Sequence, residues 1–176
     1  MKPFITDRPE NERFTLRLQC EGISREFIQS QMKGEGIVAY ALPDGHTLES
    51  AWLFRLILSN AKIFEFSSAC TEVAEWQEVG SLNIRFIAEE EPFSDSNGGV
   101  FIKNNVEKLP IKSVGCLVYE DDDVYAESGI LIKLDSGEKV IVASGVSPGS
   151  VSVMAPFSTE KFSAEFSISD YRYEPL

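Results

Sequence analysis

Apolar and polar residues alternate along most of this chain, and the clearest run is residues 128–154, SGILIKLDSGEKVIVASGVSPGSVSVM. Ile130, Ile132 and Leu134 share one parity, and Val140 and Val142 repeat it after Asp135-Ser136-Gly137. Two half-buried strands joined by a glycine-containing turn are predicted. Leu131 and Ile141 add apolar side chains to the second face, which predicts that the far end of this hairpin is covered on both sides. A Pro148-Gly149 turn then leads into another strand at residues 151–154.

The same reading extends along the chain. Phe14, Leu16, Leu18 and Cys20 alternate with Thr15, Arg17 and Gln19, predicting one strand with a single buried face. Ile23, Phe27 and Ile28 lie at helical spacing ahead of Gly34 and Gly36, predicting a short helix within residues 23–33. A strand at residues 37–42 ends at Pro43-Asp44-Gly45, a strong turn tripeptide.

Residues 47–60 are ambiguous. Leu48, Trp52 and Leu56 suit a helix, whereas Trp52, Phe54, Leu56 and Leu58 alternate. The Ser59-Asn60-Ala61 turn and the strand-forming KIFEFSS beyond it favour a second hairpin. Further strands are expected around Leu82, Ile84 and Phe86, at residues 100–103, at residues 112–119, and around Phe162, Ala164 and Phe166. Asn97-Gly98 carries the signal of a type I′ turn.

The pattern predicts a mainly β protein, a single-domain antiparallel β-sandwich or open barrel of about nine or ten strands with at most one or two short helices. Residues 1–12, with two prolines and five charges, are expected to form a loosely ordered lead-in to one β-rich domain at residues 13–176.

Composition narrows the function. The 176 residues are 43% hydrophobic and 25% charged, ordinary for a globular chain long enough to bury one sizeable core. Twenty-eight acidic against sixteen basic side chains give a formal charge of −12. That charge repels phosphate backbones and anionic lipid, so neither nucleic acid nor a membrane is an expected partner. The first twelve residues, MKPFITDRPENE, hold no apolar run of signal-peptide length, and no stretch approaches the ~20 apolar residues of a membrane span. Cys20, Cys70 and Cys116 are odd in number and lack C-x-x-C spacing, which fits a reducing cytoplasm better than a disulfide framework.

Candidate chemistry is sparse. His46 is the lone histidine, so a two-histidine metal motif is excluded and any triad would have to use it. Gly145-Val146-Ser147-Pro148-Gly149 matches G-x-S-x-G, but Pro148 lacks the N–H that an oxyanion hole takes from the residue after the nucleophile, and a strand rather than a helix follows. No catalytic residue, metal site or cofactor is therefore assigned.

Two acidic runs, Glu89-Glu90-Glu91 and Glu120-Asp121-Asp122-Asp123, have the wrong spacing for an EF-hand. Both follow predicted strand ends, where like charge discourages edge pairing. They are also candidate contacts for a basic protein, with Trp76 among Glu72, Glu75 and Glu78 as a candidate aromatic anchor. Cys20 and Cys116 read as small core residues, and Cys70 as a loop thiol.

These features favour a non-catalytic acidic protein-binding module, of the kind represented by immunity or inhibitor proteins that neutralise basic bacterial toxins. The alternative is a carboxylate-using enzyme or small-ligand-binding β-domain whose site is assembled only in the fold. A homo-oligomer formed through a strand edge is a third class.

Overall fold

The computed structural model describes residues 7–10, 13–73, 78–87 and 100–176. It is mainly β, an open architecture with twelve strands and one α-helix among the described residues. The strands are β1 (Asp7–Glu10), β2 (Arg13–Leu16), β3 (Gln19–Glu21), β4 (Gly36–Pro43), β5 (Phe54–Leu58) and β6 (Ile63–Glu72). They continue with β7 (Glu78–Ile87), β8 (Phe101–Glu120), β9 (Val124–Leu134), β10 (Lys139–Ser144), β11 (Val151–Met154) and β12 (Tyr171–Pro175). The helix, α1, spans Arg25–Met32.

The 20-residue β8 organises the molecule. Its first half pairs with β4, in a sheet ordered β8-β4-β5-β6-β7-β3. Its second half pairs with β9 on one side and β12 on the other, and β9 passes the second sheet on to β10, β11 and β2. The two sheets enclose a core that includes Phe54, Phe64, Phe66, Ile84, Ile132 and Val142. Most pairings are antiparallel, but β2–β9 and β3–β7 are parallel.

The predicted hairpins are present. β9 and β10 pair from Lys139↔Lys133 to Ala143↔Gly129 around a turn with Gly137 at φ +89°, a conformation glycine adopts without strain. Ile141 is buried on the second face beside Leu131, under Phe162, Ala164 and Tyr171, so the hairpin is covered on both sides. β5 and β6 form the earlier hairpin, with Ala61 at φ +65° in its turn. Of residues 47–60, Phe54–Leu58 are strand, while Leu48 and Ala51 instead contact β11 through backbone hydrogen bonds to Val153 and Val151.

Helix α1 starts where Ser24 Oγ accepts the Phe27 N–H at 3.1 Å, and it buries Ile28 and Met32 in the core. Gly34 follows it at φ +81°. No helix of the described residues is long and apolar enough to cross a membrane.

Three sequence expectations are corrected. Residues 14–20 are two short strands, because β2 pairs with β9 and β3 with β7, so the chain crosses between sheets at Arg17-Leu18. The strands expected at 100–103 and 112–119 are parts of the single β8. Its middle is mostly polar and exposed, with only Val106 and Leu109 packed partly against the core, so the apolar alternation is too weak to read there although the backbone stays extended. Among the described residues no strand pairs with the other side of its first half, where Lys103, Lys108 and Pro110 discourage addition of a further strand.

The last correction concerns residues 162–166, which are not a strand. They lie in a strap, residues 155–170, that meets the β-structure through the isolated bridge Gly145↔Ala164. The final strand is β12, which lies beyond the last strand expected from the sequence.

Candidate functional site

Several polar sequence features become structural once their partners are seen. Ser147 lies in an exposed turn closed by Ser150 N–H donating to Ser147 O at 2.9 Å, with Gly149 at φ +75°. His46 packs its ring edge-on to Trp52, 5.0 Å away, and Trp52 is 67% exposed. Among the described residues no three His, Cys, Asp or Glu side chains are grouped to hold a metal ion. The thiols are unactivated: burial pushes Cys116 up to about 12 and raises Cys20 and Cys70 as well. Cys116 is fully buried, and Cys20 packs on the core edge.

Of the candidate partner contacts, Trp76, Glu89, Glu90 and Glu91 lie outside the described residues. The second acidic run forms the β8–β9 turn, and its four members do different work. Glu120 accepts from Arg13 at 2.5 Å and Arg172 at 2.8 Å, so two strands are tied to it. Asp121 organises the turn: its carboxylate accepts the N–H groups of Asp123 and Val124 at 2.9 and 2.7 Å and the Tyr119 hydroxyl at 2.9 Å. Burial opposes ionisation of Asp121, but those hydrogen bonds prevail and hold its carboxyl below the usual aspartate range. Asp122 and Asp123 are left exposed to solvent.

The fold brings further acids to this end. Val73 and Val79, flanking the β6–β7 connection, pack with Leu16, Val124, Phe14 and Phe166. Exposed Glu72 and Glu78 therefore lie at the same end as Asp122 and Asp123. Phe166 stacks on Tyr119 with ring centroids 3.6 Å apart, and Asp121, Asp170 and Glu165 all act electrostatically on the Tyr119 hydroxyl. One end of the molecule thus gathers acids from β6, β7, the β8–β9 turn and the strap.

Three buried or half-buried glutamates were not legible as sites. Glu65 lies in a row that crosses the first sheet in register: Lys103, Ala41, Arg55, Glu65, Arg85 and Glu21. Its carboxylate receives Arg55 Nε at 2.7 Å and Arg85 Nε at 3.0 Å, and the Arg55 guanidinium lies over the Phe101 ring. The hairpin's symmetry was the available signal, since Arg55 and Glu65 are equidistant from Asn60.

Glu127, 2% exposed, accepts from Arg25 of α1 and from the Leu18 N–H at 2.6 Å. It fastens the helix and the sheet crossing to β9. Nothing in its local sequence, YAESG, announces a partner 102 residues away.

Glu165, in the strap, accepts the Gly80 N–H at 2.8 Å through Oε2. Burial pushes its carboxyl up to about 7, with Glu78 adding to the rise and the Gly80 N–H opposing it. Around it lie Ser144, whose hydroxyl is 3.1 Å from that of Ser68, and Ser128, which donates to Gly80 O at 2.8 Å.

Comparison of the chain with protein-family models, with curated proteins and with solved structures finds no match in any of the three.

Proposed function

We propose that the chain is a non-catalytic acidic module that binds a basic surface on another protein. The observation that carries this reading is the concentration of exposed acids at one end, where Asp122 and Asp123 join Glu72, Glu78 and Asp170. Among the described residues, Arg13 there pairs with Glu120, and Arg172 with Glu120 and Glu174, rather than with Asp122 or Asp123. An acidic end on a chain of net charge −12 would steer a basic partner into encounter and orient it. An immunity or inhibitor role against a basic bacterial toxin fits this chemistry, as does a cytoplasmic setting in which Cys20, Cys70 and Cys116 stay free thiols.

The test is capture of a partner with the full chain as bait, followed by association rates at low and high salt. A basic partner whose association slows steeply as salt rises is the expected outcome. A salt-independent rate would remove the electrostatic reading.

A second reading, a carboxylate-using enzyme or ligand-binding domain, is favoured by the setting of Glu165. Its side chain meets the Gly80 N–H and Glu78 with no cation beside it among the described residues, and burial pushes its carboxyl up to about 7. Turnover abolished by Glu165→Gln in a fold-intact variant would establish it.

A further inference from the structure

We propose that Glu165 is a protonation-controlled latch that holds the middle of the strap, around residues 162–165, across both sheets, and that its ionisation loosens this segment and uncovers the apolar outer face of the second sheet.

The geometry is that of a fastener. The Glu165 backbone N–H donates to Ser144 O of β10 at 2.9 Å, while its side chain reaches Gly80 of β7, in the other sheet, at 2.8 Å. The seat is shaped for it. A Cβ at Gly80 would fall 2.6 Å from Glu165 Oε2 and 2.7 Å from Ser144 Cβ, so this position admits the carboxyl only because it is glycine.

The strap is anchored at both ends, where Glu160 accepts the Glu49 N–H at 2.9 Å, Phe157 stacks on Tyr40, and Phe166 stacks on Tyr119; its middle has few other attachments. Val146 N–H donates to Ser163 O at 3.0 Å, Ser163 N–H to Ser152 Oγ at 2.9 Å, and Ser163 Oγ to Glu49 at 2.8 Å. Beneath the strap, Phe162 and Ala164 cover Leu117, Ile141 and Ala143. Release would therefore wet an apolar surface.

The charged and titratable groups facing Glu165 are Glu78 from β7, Cys70 from β6, Tyr119 from β8 and Tyr171 from β12, with Asp170 beyond. None of them is a cation, so an ionised Glu165 loses hydration and gains no opposite charge. Its carboxyl is raised to about 7 in the closed strap. A raised value means that the closed form holds its proton more tightly than the open form. Closure is accordingly firmest below the ordinary glutamate range and weakens as pH climbs to about 7, levelling off above it.

The experiment is amide hydrogen exchange on the full chain from pH 5 to 8, corrected for intrinsic base catalysis. It follows the Glu165 and Ser163 amides, with Val142 in β10 as the reference for global opening. Strap opening should rise on the order of tenfold or more across this range while the reference moves less. Glu165→Gln should flatten the profile, keeping the strap protected at pH 8.

A flat wild-type profile, or the same pH dependence in Glu165→Gln, would overturn the latch. Should that variant fail to fold, the side-chain carboxyl of Glu165 can be titrated by carbon NMR in the wild-type chain. A midpoint near neutrality that tracks strap exchange supports the proposal. A midpoint in the ordinary glutamate range defeats it.

Discussion

Glu127 and Glu165 each carry a carboxylate from one part of the fold into another, and their surroundings are opposite. On the helix side, Glu127 sits in the interior with the Arg25 guanidinium and the Leu18 N–H on its oxygen. On the strap side, Glu165 has the Gly80 N–H and faces Glu78, a second acid. A buried charge with a close, hydrogen-bonded counter-charge recovers much of what it loses in hydration; one without a counter-charge neutralises itself by taking up a proton. The helix side is thus a permanent fastening and the strap side a conditional one. The same residue type is used for both because the neighbours, not the glutamate, decide its state.

The largest effect should come from breaking the permanent fastening. Arg25→Met leaves Glu127 buried with no counter-charge, and should cost about 3 kcal/mol in urea unfolding at neutral pH. A loss below about 1 kcal/mol would show that water reaches Glu127 and that the two sides differ less than their geometry implies.

Next comes the seat of the conditional fastening. Gly80→Ala should destabilise the chain by roughly 1–3 kcal/mol, because the added methyl meets both Glu165 and Ser144. Strap amides should lose protection more than the Arg25–Glu127 region. Uniform loss across the chain would mean that the strap is no separate unit.

A smaller effect is expected at the acidic turn. Asp121→Ala removes the acceptor of two backbone N–H groups and one hydroxyl, at a cost of about 1 kcal/mol. Because the Asp121 carboxyl is held low in the folded chain, its contribution is complete above the ordinary aspartate range and is lost as pH falls below that range through the lowered folded value. The difference between wild type and variant should therefore close in acid.

The smallest stability change, within about 0.5 kcal/mol, is expected from Asp122→Lys with Asp123→Lys, since both side chains are exposed. Their effect belongs to binding, where association with a basic partner should slow several-fold at low salt. An unchanged rate would place the contact elsewhere on the molecule.

Much of the fold was legible. The β9–β10 hairpin, the β5–β6 hairpin and the helix all announce themselves through parity, turn chemistry or spacing that depends on near neighbours. The continuous β8 did not, because an exposed edge removes the burial contrast that periodicity reports. Phe162, Ala164 and Phe166 misled for the reverse reason. They alternate because a strap lies over apolar residues, yet it shares too few backbone hydrogen bonds to be a strand. The acidic turn was visible as a run of four exposed acids, but its division into Glu120 and Asp121, which are engaged in ion pairs and hydrogen bonds, and Asp122 and Asp123, which face solvent, was not.

The sequence by itself determined that this chain would be an acidic β-structure with particular hairpins, since alternation, turn residues and net charge act locally or by simple addition. Only the tertiary structure decided which glutamates are clasped by arginine and which stands without a cation. Arg25 is 102 residues from Glu127, and Gly80 is 85 from Glu165. Ionisation in the interior depends on neighbours within a few ångströms, and the packing of the two sheets chooses those neighbours.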